Sequence, residues 1–196
     1  MRNAARTACA LAALAVLVWR AGLPPAPPAP PAEARAKLAV LREILASRDD
    51  NDPRLDSDFR DLTPADKALL RREYAALPPE ARNERGTIVY LLGRSLADAR
   101  DWAFLRAAAA EPPCLSLADC ARLPAPGDRG DEDPGDAVTL AYPSLVALKM
   151  AEGALTRAAP GSPQAAQAWS VIRAGRGSKS PAAARLALRL SRRYAP

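Results

Sequence analysis

The chain has 196 residues, 49% of them hydrophobic but only 5% aromatic, with 20 prolines, three cysteines and no histidine. Lys and Arg outnumber Asp and Glu by 28 to 22, a net charge of +6. The lack of histidine excludes Ser-His-Asp and Cys-His catalysis and leaves two neighbouring thiols short of a four-ligand zinc site, and no glycine-rich phosphate loop of the Walker or dinucleotide type is present. The composition therefore points away from an enzyme and toward a binding or structural protein with no metal and no small-molecule cofactor.

Residues 1–22 read as a signal peptide or signal anchor. Arg2 and Arg6 form a positive start, and Ala8 to Trp19 are twelve consecutive apolar residues ahead of Arg20. Twelve residues make about 18 Å of helix against a hydrocarbon core of about 30 Å, which is short for a span. The small-x-small cleavage pattern is missing after Trp19, so an uncleaved anchor is preferred over a removed signal or a buried helix of a cytosolic fold. Ala8, Leu11, Leu14, Leu17 and Trp19 mark the candidate membrane segment. Cys9 lies near the start of the apolar run rather than after it, the wrong place for a lipoprotein attachment. The positive-inside bias sends the rest of the chain outward. The expected location is the bacterial cell envelope, on the periplasmic side of the inner membrane, or the secreted fraction.

Residues 23–32 spell LPPAPPAPPA. Paired prolines exclude a helix interior or a central strand, so this linker is expected to be polyproline II, a semi-rigid spacer of about 30 Å. A stalk is preferred to a ligand for a proline-recognising module.

Residues 33–196 suffice for one domain, and abundant alanine with few aromatics favours closely packed helices. A first helix is expected over 34–46 and a second over 64–76, with Leu70, Tyr74 and Leu77 along one side. The polar stretch between them, with Asp49, Asp50, Asp52, Asp56 and Asp58, reads as a solvated loop. Thr63-Pro64, Ser162-Pro163 and Ser180-Pro181 each set an N-cap before a first-turn proline, and Thr63 with Asp66 and Ser116 with Asp119 resemble capping boxes. Residues 80–96 carry Ile88, Leu91, Leu92, Ser95 and Leu96 on one stripe, and 99–110 turn Trp102, Leu105 and Ala109 inward. A long helix is expected over 136–158 as the most buried element, with Val138, Ala141, Leu145 and Leu148 on one stripe, Leu140, Ala147 and Met150 beside it, and Pro143 either kinking or restarting it. Residues 164–174, with Ala165, Trp169 and Ile172, and 182–194, with Leu186, Leu190 and Tyr194, complete the series.

Two passages, IVYLLGRSLADARDWAFLRAAAAE and PQAAQAWSVIRAGRGSKSPAAARLALRLSRRYA, combine a Leu-Gly-Arg-like helix end, a short turn and a second amphipathic helix. They resemble HEAT-type helical repeats over less than a third of the chain, without a strict internal period. The resemblance implies an all-α fold of antiparallel helix pairs stacked as a short irregular solenoid, and a scaffold that binds another protein. It transfers no catalytic residue.

Cys114 and Cys120 flank the Ser116 cap, where a folded-back helix start would bring them together, so a disulfide is expected, with two free thiols as the alternative. A second acidic cluster, Asp128, Asp131, Glu132, Asp133 and Asp136, lacks calcium-loop spacing and reads as a solvated loop. Arg129-Gly130-Asp131 is taken as a chance tripeptide. No acidic residue follows Glu152, while Arg157, Arg173, Arg176, Lys179, Arg185, Arg189, Arg192 and Arg193 add eight positive charges. Arg185, Arg189 and Arg192 share one face of the last helix, and with Arg193 they form a candidate binding face. A solvated outer face is preferred there, with anionic lipid or an acidic partner next, and nucleic acid is not expected. The preferred function is a membrane-tethered or secreted scaffold for an unknown protein partner. The alternatives are a carboxylate-dependent enzyme and a structural spacer that docks anionic lipid.

Overall fold

The computed structural model of the protein describes residues 29–49, 51–123 and 134–194. The candidate membrane positions Ala8, Leu11, Leu14, Leu17 and Trp19 lie outside the described residues, as do most of the proline linker and, of the second acidic cluster, Asp128, Asp131, Glu132 and Asp133; Asp136 falls in the helix Pro134–Leu140. No helix among the described residues is long and apolar enough to cross a membrane. Residues 31–196 form one compact unit.

Every described element is a helix: α1 (Ala32–Ser47), α2 (Arg54–Ser57), α3 (Pro64–Ala76), α4 (Arg82–Arg94), α5 (Ala99–Ala109), α6 (Pro134–Leu140), α7 (Tyr142–Arg157), α8 (Pro163–Arg176) and α9 (Pro181–Tyr194). Their starts follow local chemistry. The Thr63 hydroxyl accepts from the Asp66 N–H while the Asp66 carboxylate accepts from the Thr63 N–H, a complete capping box ahead of Pro64. Asp98 and Asp101 build the same reciprocal arrangement at α5. Ser162 caps α8 through the Ala165 N–H. At the far end of α1, Arg48 takes the left-handed conformation (φ 56°) in which glycine is more usual.

Two apolar clusters form the core. One gathers Leu41, Ile44, Leu55, Phe59, Leu70, Ile88, Leu91 and Leu92 from α1 to α4. The other joins α4 and α5 to α7, α8 and α9 through Val89, Trp102, Leu105, Leu148, Val171, Ile172, Leu186, Leu190 and a set of buried alanines. Eight of its sixteen buried members are alanine, so the helix backbones there approach closely. Glycine extends the same logic. A Cβ on Gly86 of α4 would fall 2.2 Å from the Tyr142 ring of α7, and one on Gly93 would fall 2.3 Å from Met150 Cγ. Within this part α4 packs on α7 and α5 on α8, α5 also touches α7, and α9 lies against both α7 and α8.

Three expectations need correction. The polar stretch after α1 is not a simple solvated loop: α2 forms within it, Leu55 and Phe59 are buried, and Asp52 pairs with Arg54 at 2.7 Å. Its apolar residues supply the missing side of the first cluster. The long helix expected over 136–158 divides at Ala141, because Pro143 lies in the first turn of α7 and cannot continue α6. Val138 is consequently exposed, and the most thoroughly buried helix is α4, which contributes to both clusters. Finally, Ser116 does accept from the Asp119 N–H at 3.0 Å, yet residues 111–123 contain no helix. That hydroxyl closes a local turn instead.

Candidate functional site

Besides Asp66, which is buried and pairs with Lys37 at 3.2 Å, two carboxylates gather the buried cations among the described residues. Asp101, fully buried, accepts from Lys67 Nζ at 2.7 Å, from Arg71 at 2.9 Å and from the Ala97 N–H at 2.9 Å. Burial alone would raise its carboxyl, but the Lys67 ammonium and the backbone donors outweigh that and hold it below the usual carboxylate range. Lys67 also donates to the Ser95 carbonyl. This cluster fastens α3 to the α4–α5 turn.

Glu111, just beyond α5, is the second centre. It accepts from the Tyr74 hydroxyl at 3.0 Å, from Arg82 at 3.5 Å, and from Arg85. Arg85 also donates to the carbonyls of Tyr74 (2.9 Å) and Leu77 (3.1 Å) at the end of α3, and its guanidinium lies 4.0 Å from the centre of the Tyr74 ring. Burial, reinforced by the Glu111 charge, pushes the Tyr74 hydroxyl well above its ordinary value, and burial pulls the Arg82 guanidinium down. The Nε atoms of Arg82 and Arg85 are buried without a hydrogen-bond partner, so desolvation at this centre is incompletely offset.

Arg82 separates this buried centre from an open groove of about 640 Å³. Ile44, Leu45, Arg48 and Asp49 at the end of α1 form one wall, Asn83, Glu84 and Thr87 of α4 another, and Leu117, Val138, Thr139 and Tyr142 complete the rim. Leu117 and Val138 are 47% and 52% exposed, apolar surface that water covers unfavourably. Helix α4 begins here without a side-chain cap, because Ala81 occupies that position, and the Arg82 N–H donates instead to the Glu80 carbonyl at 2.7 Å.

Leu117 is carried by the segment between the two cysteines. The sulfurs of Cys114 and Cys120 lie 2.05 Å apart, at disulfide distance. Inside the ring the Leu115 N–H donates to the Cys120 carbonyl at 3.1 Å, and the Cys120 N–H donates to Glu80, a groove residue, at 2.7 Å. The pair thus holds Leu117 beside the α4 start.

The basic residues singled out in the last helix are all exposed. Arg193 reaches Glu152 at 3.4 Å, whereas Arg185, Arg189 and Arg192 enter no ion pair among the described residues. They lie on α9 and contribute nothing to the groove. Groove and buried centres escaped the sequence reading, although Arg85 falls on the same stripe of α4 as Val89 and Leu92, a charge at a core position that signals a buried partner. Compared with known protein families, curated proteins and solved structures, the chain finds no match.

Proposed function

We propose that the protein is a membrane-tethered or secreted extracytoplasmic scaffold of HEAT-like helix pairs, and that it binds a segment of another protein in the groove between α1, α4 and the cysteine-closed turn. The observation that carries this reading is the groove itself, where exposed Leu117 and Val138 line the same opening as the α4 start and Glu84. An extended segment with one apolar side chain and flanking polar groups has complementary chemistry. The like-with-like packing of α4 on α7 and α5 on α8 supports a stack of pairs α4–α5 and α7–α8, the arrangement on which repeat scaffolds present binding surfaces.

The carboxyls whose titration is displaced, Asp52, Asp66, Asp101 and Glu152, all move downward and all have identified cationic or N–H partners. General acid chemistry near neutrality calls for the opposite displacement, which favours the scaffold over the carboxylate-dependent enzyme. A photoreactive residue introduced at Leu117, in the full chain and in its native envelope, should give a discrete protein adduct. Leu45→Asp, on the opposite wall, should abolish that adduct while far-UV circular dichroism shows the helices retained. Absence of any adduct, or adducts indifferent to Leu45→Asp, would count against the groove as a binding place.

A further inference from the structure

The outer face of α9 follows a different logic from the groove. Arg185, Leu188, Arg189 and Arg192 follow one another at spacings of three, one and three residues, which at 100° per residue confines them to an arc of about 100°. All three arginines are exposed, and Leu188 is 40% exposed among them. The opposite face, Ala183, Leu186, Ala187 and Leu190, is buried against the core. The arc therefore points away from the fold.

Two ordinary explanations fall short of this arrangement. A helix C-terminus attracts cations through the peptide dipole, but the effect fades within the last turn. It accounts for Arg192 and Arg193 and not for Arg185, the fifth residue of a fourteen-residue helix. A terminal helix of a stack also needs a polar outer face for solubility, a need that mixed charges satisfy best. Here the sign is single: no acidic residue follows Glu152 anywhere in the sequence. Glu152 itself is engaged by Lys149, Arg193 and Tyr194, and among the described residues no carboxylate pairs with the other three arginines. Like charges three and four residues apart, Arg189 with Arg192 and Arg185 with Arg189, repel one another and weaken the helix. An external anion covering the face removes that repulsion.

We infer that this face of α9 is a docking surface for the anionic phospholipid headgroups of a bilayer. Guanidinium groups bind phosphate through paired N–H donors, and a laterally continuous headgroup layer offers phosphates along the whole stripe. Leu188 selects the bilayer over other polyanions. It forms one edge of the arc, about 40° from Arg192 and about 60° from Arg185, where a nucleic-acid backbone or an acidic peptide seated on the arginines would press charge against it, whereas the acyl boundary below the headgroups accepts it. No aromatic side chain lies in the arc to stack a base. The inference does not depend on the groove.

The test uses the full chain with vesicles of phosphatidylcholine alone and of phosphatidylcholine mixed with phosphatidylglycerol, followed by sedimentation. Residues 1–22, with Arg2, Arg6 and Arg20, are the same in every variant, so the readout is the ratio of the two partition coefficients in each variant relative to the parent chain, in which their contribution cancels. Each arginine near an anionic surface contributes about fivefold, and the ratio should fall by about a hundredfold in Arg185→Gln/Arg189→Gln/Arg192→Gln, with far-UV circular dichroism and the thermal midpoint retained. Raising the salt should lower it as well, and Leu188→Asp should lower it with every arginine present. A ratio unchanged by the triple substitution overturns the inference. So does tighter binding to an oligonucleotide or to polyglutamate than to the mixed vesicles, which would assign the face to a different class of partner. Leu45→Asp should leave the ratio untouched, so groove and lipid face fail or succeed separately.

Discussion

Removing the Asp101 carboxylate would strand the Lys67 ammonium in a nearly waterless position beside the Ser95 carbonyl and leave the Ala97 N–H without its acceptor. Breaking a buried pair by deleting one partner costs about 3–5 kcal/mol, so Asp101→Ala should lower the urea midpoint severely while leaving the slope of the unfolding free energy unchanged. The same residue sets an acid limit. Its folded-state carboxyl titrates below the unfolded value of about 4, so its contribution is complete above that value and is lost as the pH falls through the lower folded one. Asp101→Asn should therefore be less stable than the parent at neutral pH and should approach it at the acid end of a chemical denaturation series. A constant gap across the series would show that charge at Asp101 is not what matters.

Helix α4 owes its position to two missing side chains. Gly86 and Gly93 are spaced by two turns on the face that meets Tyr142 and Met150, and the obstacles are an aromatic ring and, at 2.8 Å, the backbone-fixed Met150 Cβ. Alanine is about 1 kcal/mol better than glycine inside a helix, but overpacking costs about 1–3 kcal/mol, so Gly86→Ala and Gly93→Ala should both destabilise. Gly153 on α7 supplies the control: a Cβ there meets only the far end of the exposed Arg157 side chain, at 3.3 Å, and Gly153→Ala should raise the thermal midpoint. These signs also show what the sequence could and could not disclose. Period and capping chemistry located α3 to the residue at both ends and α5 within one residue, because both are decided inside a single turn. Phe59 was hidden because its burial depends on α1 and α4 arriving from elsewhere, and the groove because it exists only where α1, α4 and α7 converge. Thr63 and Asp66 announced their cap in sequence, whereas Ser116 and Asp119 showed the same spacing and formed a turn, since no amphipathic run follows them.

At the scale of the molecule, the two clusters share α4, and the Tyr74 ring meets Phe104 edge-on at 5.0 Å while packing on both. Residues 31–196 should accordingly unfold in one transition, with calorimetric and van't Hoff enthalpies equal. Two resolved transitions would mean that α4 parts from one cluster while holding the other. Alkylation without reductant should modify at most one of the three cysteines, Cys9, and none if residues 1–22 have been removed; intact mass distinguishes the cases. Closing so short a loop contributes about 2 kcal/mol in the chain-entropy account, so reductant should cost little global stability and act mainly on the placement of Leu117. Gly86 has a longer reach than any of these. Tyr142 rests on that glycine and is also part of the groove rim, so the width of the opening is gauged by a hydrogen atom on the far side of an aromatic ring. Lineages of this protein could retune what the groove admits by substitutions at position 86, without changing a residue that any ligand touches.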